Sequence, residues 1–309
     1  MPPSPDGVRG RPEDASRSVV DFWTRQHERA DLGPHDNFLS HPLVQGYLCL
    51  RAVGGLISLM DALGNQIRDR SRPGARIFSP GCGKGEKELI LAAAFPDREF
   101  VGLDITPRIL ELAREDAERR GLANIRFEEG DFNQLDLEPR SFDLVLGLGS
   151  IHHVEALEAF WEQVRRALRP GGMVLAQEFI GPNRMQWNEV QVREGTRVLR
   201  ELVPEEHKVH HHEVRPVALE VLLADDPSEA VRSSEILSTL RAAGYAIPGY
   251  AGGGCALLQP VLMHQIQTFS PQDWEHNHRL MTIFREEDRL MRAGQLGDDF
   301  AMFVAVPPA

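Results

Sequence analysis

The chain has 309 residues, with 34 Lys+Arg against 46 Asp+Glu and a formal charge of −12. A polypeptide this acidic, without any Lys/Arg run to make a basic patch, repels phosphate backbones, so nucleic acid is excluded as an expected partner. A hydrophobic share of 42% and a charged share of 26% are ordinary for a globular protein, and the length suits one large domain carrying insertions.

The opening MPPSPDGVRGRPEDAS lacks the apolar stretch of a signal peptide and reads as a disordered leader. The rest of residues 1–75 reads as a mostly helical N-terminal cap. Its most apolar stretch, Leu43 to Leu63, is interrupted by Gln45, Arg51 and Asp61, so no membrane span is expected. Cys49, Cys82 and Cys255 are odd in number and widely spaced, which fits neither a disulfide framework nor a zinc motif. A cytoplasmic protein is expected.

From Arg76 to about Ile180 strand and helix patterns alternate. Strands are predicted at Arg76–Ser79, Phe100–Leu103, Ile125–Phe127, Phe142–Leu146 and Met173–Phe179. Thr106 is placed to cap the helix after the second strand, with Pro107 at its first position and Gly121 as its stop. Leu157, Phe160, Trp161, Val164 and Leu168 recur at helical spacing before Arg169-Pro170-Gly171-Gly172, read as a clean break. A further helix over Ser233–Gly244, with Ser233 as cap, leads to a strand near Tyr245–Tyr250. A long helix carrying Trp274, Leu280, Met281, Phe284 and Met291 on its core face precedes a last strand at Asp299–Val306. Strands alternating with helices imply parallel pairing with right-handed crossovers, hence a doubly wound α/β sheet. Residues 181–232 interrupt that pattern as a polar insertion.

Ser79-Pro80-Gly81-Cys82-Gly83-Lys84-Gly85-Glu86 follows the first strand, where ligands bind in open α/β sheets. A dinucleotide site wants Gly-x-Gly-x-x-Gly. Here the third glycine comes one position early and Glu86 holds its place, so a nicotinamide or flavin dinucleotide is disfavoured. Asp104 closes the second strand, where a carboxylate can accept from both hydroxyls of a ribose; the plainer alternative is a helix-capping Asp. Asp131 and Phe132, after the third strand, suit the exocyclic amine and the face of an adenine; the alternative is a turn Asp beside a core Phe.

SPGCGKG, VGLDIT, GDF, FDLVLGLGSIHHV and LRPGGMVLAQEF, in this order and spacing, resemble the class I S-adenosylmethionine-dependent methyltransferases over roughly residues 76–180. The resemblance implies a Rossmann-like methyltransferase sheet of seven strands, the last antiparallel, with an N-terminal helical cap over 1–75 and helical insertions in a domain spanning 76–309. It implies S-adenosylmethionine as cofactor, held by Ser79, Gly81, Cys82, Gly83, Gly85, Asp104, Ile105, Asp131, Phe132 and Gly147. One departure concerns Ser79, where the family usually has Asp or Glu; the acidic contact to the cofactor's amino group is then missing or supplied elsewhere, with Glu86 or a water as candidates. GPNRMQW (181–187), DPSEAVRS (226–233) and GGGCALLQPVL (252–262) look like a bacterial subgroup that accompanies polysaccharide or natural-product biosynthesis.

In methyl transfer from a sulfonium the cofactor brings the reactivity, while the protein supplies alignment, exclusion of water and sometimes a base, which for an oxygen acceptor would speed the reaction. His152 and His153 follow the fourth strand and are candidate bases; the alternative is packing under the cofactor. Glu178, ending the fifth strand, is a candidate base or acceptor contact, with an ion pair as its alternative. Asn183, Arg184 and Trp187 are candidate acceptor contacts, or else anchors of the insertion. His207, His210, His211 and His212 lie among acidic neighbours and read as a solvated loop, so no metal is expected. Trp23, His41 and Tyr47 could cap the pocket. The expected partner is a small molecule, methylated at an oxygen of a natural product or sugar. A homodimer is left open, as are N- or C-methylation and a non-catalytic cofactor-binding module.

Overall fold

The computed structural model describes residues 19–25, 38–55, 57–208 and 212–308. The leader and His210 and His211 lie outside the described residues. Residues 19–25 form α1, followed by α2 (Pro42–Val53) and α3 (Leu59–Arg70). The alternating region runs β1 (Arg76–Pro80), α4 (Glu86–Ala94), β2 (Glu99–Asp104), α5 (Pro107–Arg119), β3 (Ile125–Glu129), β4 (Phe142–Leu148), α6 (Leu157–Ala167) and β5 (Leu168–Phe179). Next come α7 (Glu189–Glu201), α8 (Leu219–Asp225), α9 (Ile236–Ala242) and β6 (Ala246–Cys255). The chain ends with α10 (Leu258–Leu262), α11 (Trp274–Arg292) and β7 (Asp298–Val306).

The strands make one seven-stranded sheet in the order β3-β2-β1-β4-β5-β7-β6. The first five pair in parallel, and β7 inserts antiparallel between β5 and β6. This is the expected seven-stranded Rossmann-like sheet. Strand side chains alternate between faces. Ile77, Phe100, Leu144, Leu146 and Leu175 therefore meet α3 and α4 on one face. Phe78, Val101, Val145 and Val174 meet Phe160, Trp161 and Val164 of α6 and Leu240 of α9 on the other. Burial on both faces explains why the central strands read as continuous apolar runs.

A third core lies beyond the carboxyl end of the sheet. Tyr47 of α2, Val198 and Leu199 of α7, Val261 of α10 and Leu280, Ile283 and Phe284 of α11 pack together, joined to the sheet through Phe179 and Phe300. The helical excursion between β6 and β7 thus shares one core with the 181–232 insertion. The glycine-rich turn makes that core possible. Gly254 has φ +74°, and a Cβ there would lie 2.6 Å from Glu287 Oε1 and 2.9 Å from Arg51 Nε. The bare backbone instead wraps the Glu287 carboxylate, which accepts from the N–H groups of Cys255 (2.8 Å), Leu257 (2.9 Å) and Leu258 (3.0 Å) and from the Tyr47 hydroxyl (2.9 Å).

Several local expectations change. α6 ends at Ala167, as the Arg169–Gly172 break implies, but β5 begins at Leu168 rather than Met173, with Arg169–Gly172 bulging where pairing jumps from Phe142↔Leu168 to Leu144↔Met173. Thr106 makes no side-chain cap bond; Asp104 Oδ1 accepts from the Thr106 N–H instead. Ser233 opens a 3-10 turn and donates to the Gly181 carbonyl rather than capping α9. On α11, Leu280 and Phe284 are buried, whereas Trp274 and Met281 face outward. All three cysteines are free thiols.

Candidate active site

The turn after β1 is shaped by glycine. Gly81, Gly83 and Gly85 have φ of +66°, +53° and +68°, a region costly for any residue with a Cβ. A Cβ on Gly81 would sit 2.7 Å from Ser150 Cβ and 2.9 Å from Phe132 Cε1, and one on Gly85 would strike the Phe127 ring. Asp104 holds this loop from the neighbouring strand: its Oδ2 accepts from the Gly83 N–H at 2.9 Å and its Oδ1 from the Thr106 N–H at 2.9 Å. A carboxylate has roughly four acceptor positions, so each oxygen keeps one for a ligand hydroxyl.

The loop forms one wall of a cavity at the carboxyl ends of β1, β2 and β4. Gly81, Cys82, Gly83, Asp104 and Ile105 line it on one side. Asp131, Phe132, Gly149, Ser150 and His153 line it on others, and Trp23 of α1 closes it with its ring 5.4 Å from that of His153. Of the predicted cofactor residues, Gly85 is buried beneath the loop and Ser79 and Gly147 stay off the cavity wall. Gly147 is required for packing, because a Cβ there would collide with Ile151. The next residues, Leu148 to Ser150, reach the cavity instead.

Glu88 is the residue that sequence reasoning missed. It is 3% exposed, lines the cavity, and accepts a 2.7 Å hydrogen bond from Ser79 Oγ. Burial raises its carboxyl above the usual carboxylate range, against the Ser79 hydrogen bond. Glu86, the sequence candidate for an acidic contact, is solvent-exposed at the cavity's edge. The missed signal was the spacing Glu88, Leu91, Ala92 on the buried side of α4, which sets a charge on an otherwise apolar face.

The histidines belong to a second cluster above β4 and β5. Glu178 is fully buried; its Oε1 accepts from the N–H groups of Gly149 (3.1 Å), Ser150 (2.8 Å) and Ile151 (2.8 Å), and its Oε2 pairs with His152 Nδ1 at 2.9 Å. Burial alone would raise its pKa, but His152 and these N–H groups outweigh burial and hold Glu178 below its usual value, hence ionised. An ionised carboxylate only accepts, so Nδ1 of His152 carries the hydrogen and Nε2 of the neutral ring is left with a lone pair. Nε2 lies 3.8 Å from Glu229, and the His153 ring, tilted by 39°, lies 4.2 Å away. Burial works to lower the pKa of His152, yet the Glu178 hydrogen bond and the charges of Glu229, Glu178 and Asp226 raise it overall. His153 moves down, through burial and then repulsion from His152. The pair therefore holds one proton more readily than two.

Ser228 links His153 Nδ1 (3.1 Å) to Asp226, to which its hydroxyl donates at 2.6 Å. Among the described residues, His152, His153 and Glu229 are the group whose donor atoms, within 4.8 Å of one another, could gather round a cation. Nδ1 of His152 and Nδ1 of His153 are already engaged by Glu178 and Ser228, and Glu229 stands 3.8 and 4.0 Å from their Nε2 atoms.

The three expected acceptor contacts have other duties. Asn183 Oδ1 accepts from the backbone N–H and hydroxyl of Ser234, while its amide donates to Glu235. The Arg184 guanidinium grips the carbonyls of Pro227 (2.6 Å) and Glu229 (3.2 Å). Trp187 is buried in the third core. None of them lines the cofactor cavity; GPNRMQW anchors the insertion, and DPSEAVRS is the segment it anchors. Glu178 likewise has no surface to offer an acceptor. His207 is buried against Phe269 and bonded to Thr268, not solvated, while His212 is exposed. Tyr47 and His41 pack in the third core rather than over the cavity: His41 Nε2 is 3.1 Å from the Phe269 carbonyl.

A family profile described as a methyltransferase domain matches residues 71–244. The 27-O-demethylrifamycin SV methyltransferase of Amycolatopsis mediterranei is 31% identical over 168 residues, 53% of this chain and 60% of that protein. The sterol 24-C-methyltransferase of Aspergillus fumigatus is 27% identical over 57% of this chain and 41% of its own length. The chain thus spans about half the length of these curated relatives. A solved structure of geranyl diphosphate C-methyltransferase from Streptomyces coelicolor, in complex with Mg2+, geranyl diphosphate and S-adenosyl-L-homocysteine, shares the fold. Its TM-score is 0.55 at 11% identity, over 95% of this chain and 98% of that one.

Proposed function

Because the chain belongs to the S-adenosylmethionine-dependent methyltransferases, we propose that it methylates an oxygen of a small molecule, a hydroxyl or a carboxylate, with His152 as the base where the acceptor is a hydroxyl. The cavity suits the cofactor physically. Glu86, Glu88, Asp104 and Asp131 outnumber Lys84 and Lys87 around it, which favours a cationic sulfonium and disfavours a pyrophosphate. Asp104 would take the ribose hydroxyls, Asp131 and Phe132 the adenine, and the Gly81–Gly83 turn the methionyl part.

When bound, S-adenosylmethionine supplies an electrophilic methyl group whose bond to sulfur breaks with its electron pair passing to sulfur. The chain's own residues do the rest. Trp23 of α1 and the 226–231 segment cover the cavity and the histidines and keep water out. The acceptor hydroxyl loses its proton to His152 Nε2, and the resulting imidazolium is stabilised by the ionised Glu178 behind it. Ser228 and Asp226 fix His153, which lies between the cofactor cavity and His152.

The observation that carries this reading is the 2.9 Å pair between His152 and the fully buried Glu178. A buried carboxylate satisfied by three backbone N–H groups and one imidazole is an arrangement for moving a proton, which a hydroxyl acceptor requires. The name of the rifamycin relative, with its O-demethyl acceptor, is consistent with oxygen. The test is turnover of labelled cofactor with a panel of hydroxylated and carboxylated natural products, with mass spectrometry locating the methyl. His152→Ala should lower kcat by about 10²–10⁴-fold with cofactor affinity within twofold. Wild-type turnover by that variant, or methylation at carbon, would overturn the reading.

A further inference from the structure

We propose that Glu88, presented from α4 and held by Ser79, is the anionic contact for the amino group of the cofactor's methionyl part. The inference rests on the cofactor, not on the acceptor or on the base.

Glu88 is an unusual carboxylate. It is nearly fully buried, it is on the cavity wall, and among the described residues no Lys, Arg or His nitrogen lies within 4.0 Å of its oxygens. The Ser79 hydroxyl donates to its Oε1 at 2.7 Å. The adjacent Lys87 points elsewhere, its Nζ donating to the Leu148 carbonyl at 2.6 Å. Asp104 faces Glu88 from β2 and adds negative charge rather than relieving it, while burial keeps the neighbouring Cys82 thiol protonated and neutral.

A buried carboxylate without a cation is expensive to keep ionised and is retained where a ligand brings the counter-charge. The cofactor carries one ammonium on its amino-acid end, and the glycine loop beside Glu88 is the wall assigned to that end. Ser79 then has a defined part: it stands at the tip of β1, too short to reach a ligand, and orients the carboxylate of the next helix. Acid and hydroxyl have exchanged places between strand and helix, so the position that looked neutral in sequence is served by a charge nine residues on.

Ligand truncation separates this role from simple packing. S-adenosylhomocysteine has the amino group, and 5′-methylthioadenosine has the same adenosine and sulfur without it. Calorimetric titration of both into the full chain and into Glu88→Gln, which keeps the Ser79 hydrogen bond, reads the contact directly. Glu88→Gln should weaken S-adenosylhomocysteine at least tenfold and leave 5′-methylthioadenosine within twofold. Equal losses for both ligands, or no loss for either, would overturn the proposal.

The wild-type chain gives an independent reading should the variant fold poorly. The affinity ratio of S-adenosylhomocysteine to 5′-methylthioadenosine should fall as pH is lowered through the titration of Glu88, because protonation removes the charge that only the first ligand uses. Asp104 and Asp131 serve the adenosine common to both ligands and cancel from the ratio, and Cys82 stays protonated across this range. A ratio independent of pH between 4 and 8 (roughly the span over which a raised Glu titrates) would likewise overturn it.

Discussion

At the scale of single residues, the site depends on which groups are charged before any ligand arrives. Glu178 is ionised although fully buried, since three backbone N–H groups and His152 together outweigh its desolvation. His152 in turn is held above its usual pKa by Glu178, Glu229 and Asp226. A base must be neutral to accept a proton, so kcat should fall as pH drops through this raised pKa. Glu178→Gln removes the largest stabiliser of the imidazolium; burial then dominates, and the acid limb of the kcat–pH profile should move to lower pH while the plateau falls at least tenfold. A limb that stays in place would remove Glu178 from the positioning of His152. This dyad was half legible: strand ends drew notice to both residues, but that Glu178 faces inward is a matter of strand pleat and of the turn over it. Glu88 was illegible for a different reason, since only the contact with Ser79 across two elements gives it a role.

At the scale of elements, what was read correctly is what local physics decides. The strands of the parallel sheet, the glycine turn and the Asp at the end of β2 follow from short-range pattern and fixed spacing. The insertion was read less well, because its polar residues bond to one another across long separations in the chain. Arg184 shows the consequence. Its guanidinium ties two carbonyls of the 226–230 segment, which carries the Asp226, Ser228 and Glu229 groups beside the histidines. Arg184→Ala should lower unfolding stability by about 1–3 kcal/mol, measured by denaturant midpoint. It should also reduce kcat several-fold with little change in cofactor affinity, because the segment it releases faces the histidines rather than the glycine loop. Unchanged kcat with the same loss of stability would show that the segment holds its shape without the arginine.

At the scale of the whole molecule, a cofactor-binding sheet and a helical cap have separate cores that meet through Phe179 and Phe300. The α10–α11 excursion between β6 and β7 was visible as one long helix, but its shared core with residues 181–232 was not, because no periodicity within a helix names its distant partner. The cap is closed by Glu287, whose two oxygens collect bonds from α2, from the end of β6 and from the start of α10. Glu287→Gln replaces one acceptor by a donor facing N–H groups, and should cost about 1–3 kcal/mol or more. A latch made of one side chain also sets a rhythm. The amides of Cys255, Leu257 and Leu258 share a single acceptor, so they should exchange with deuterium at one common rate, and in the Gln variant all three should quicken together. Three unequal rates would mean that the segments let go one at a time. If they move as one, α2, the end of β6 and the start of α10 come apart together or not at all, and this corner of the fold has no half-open form.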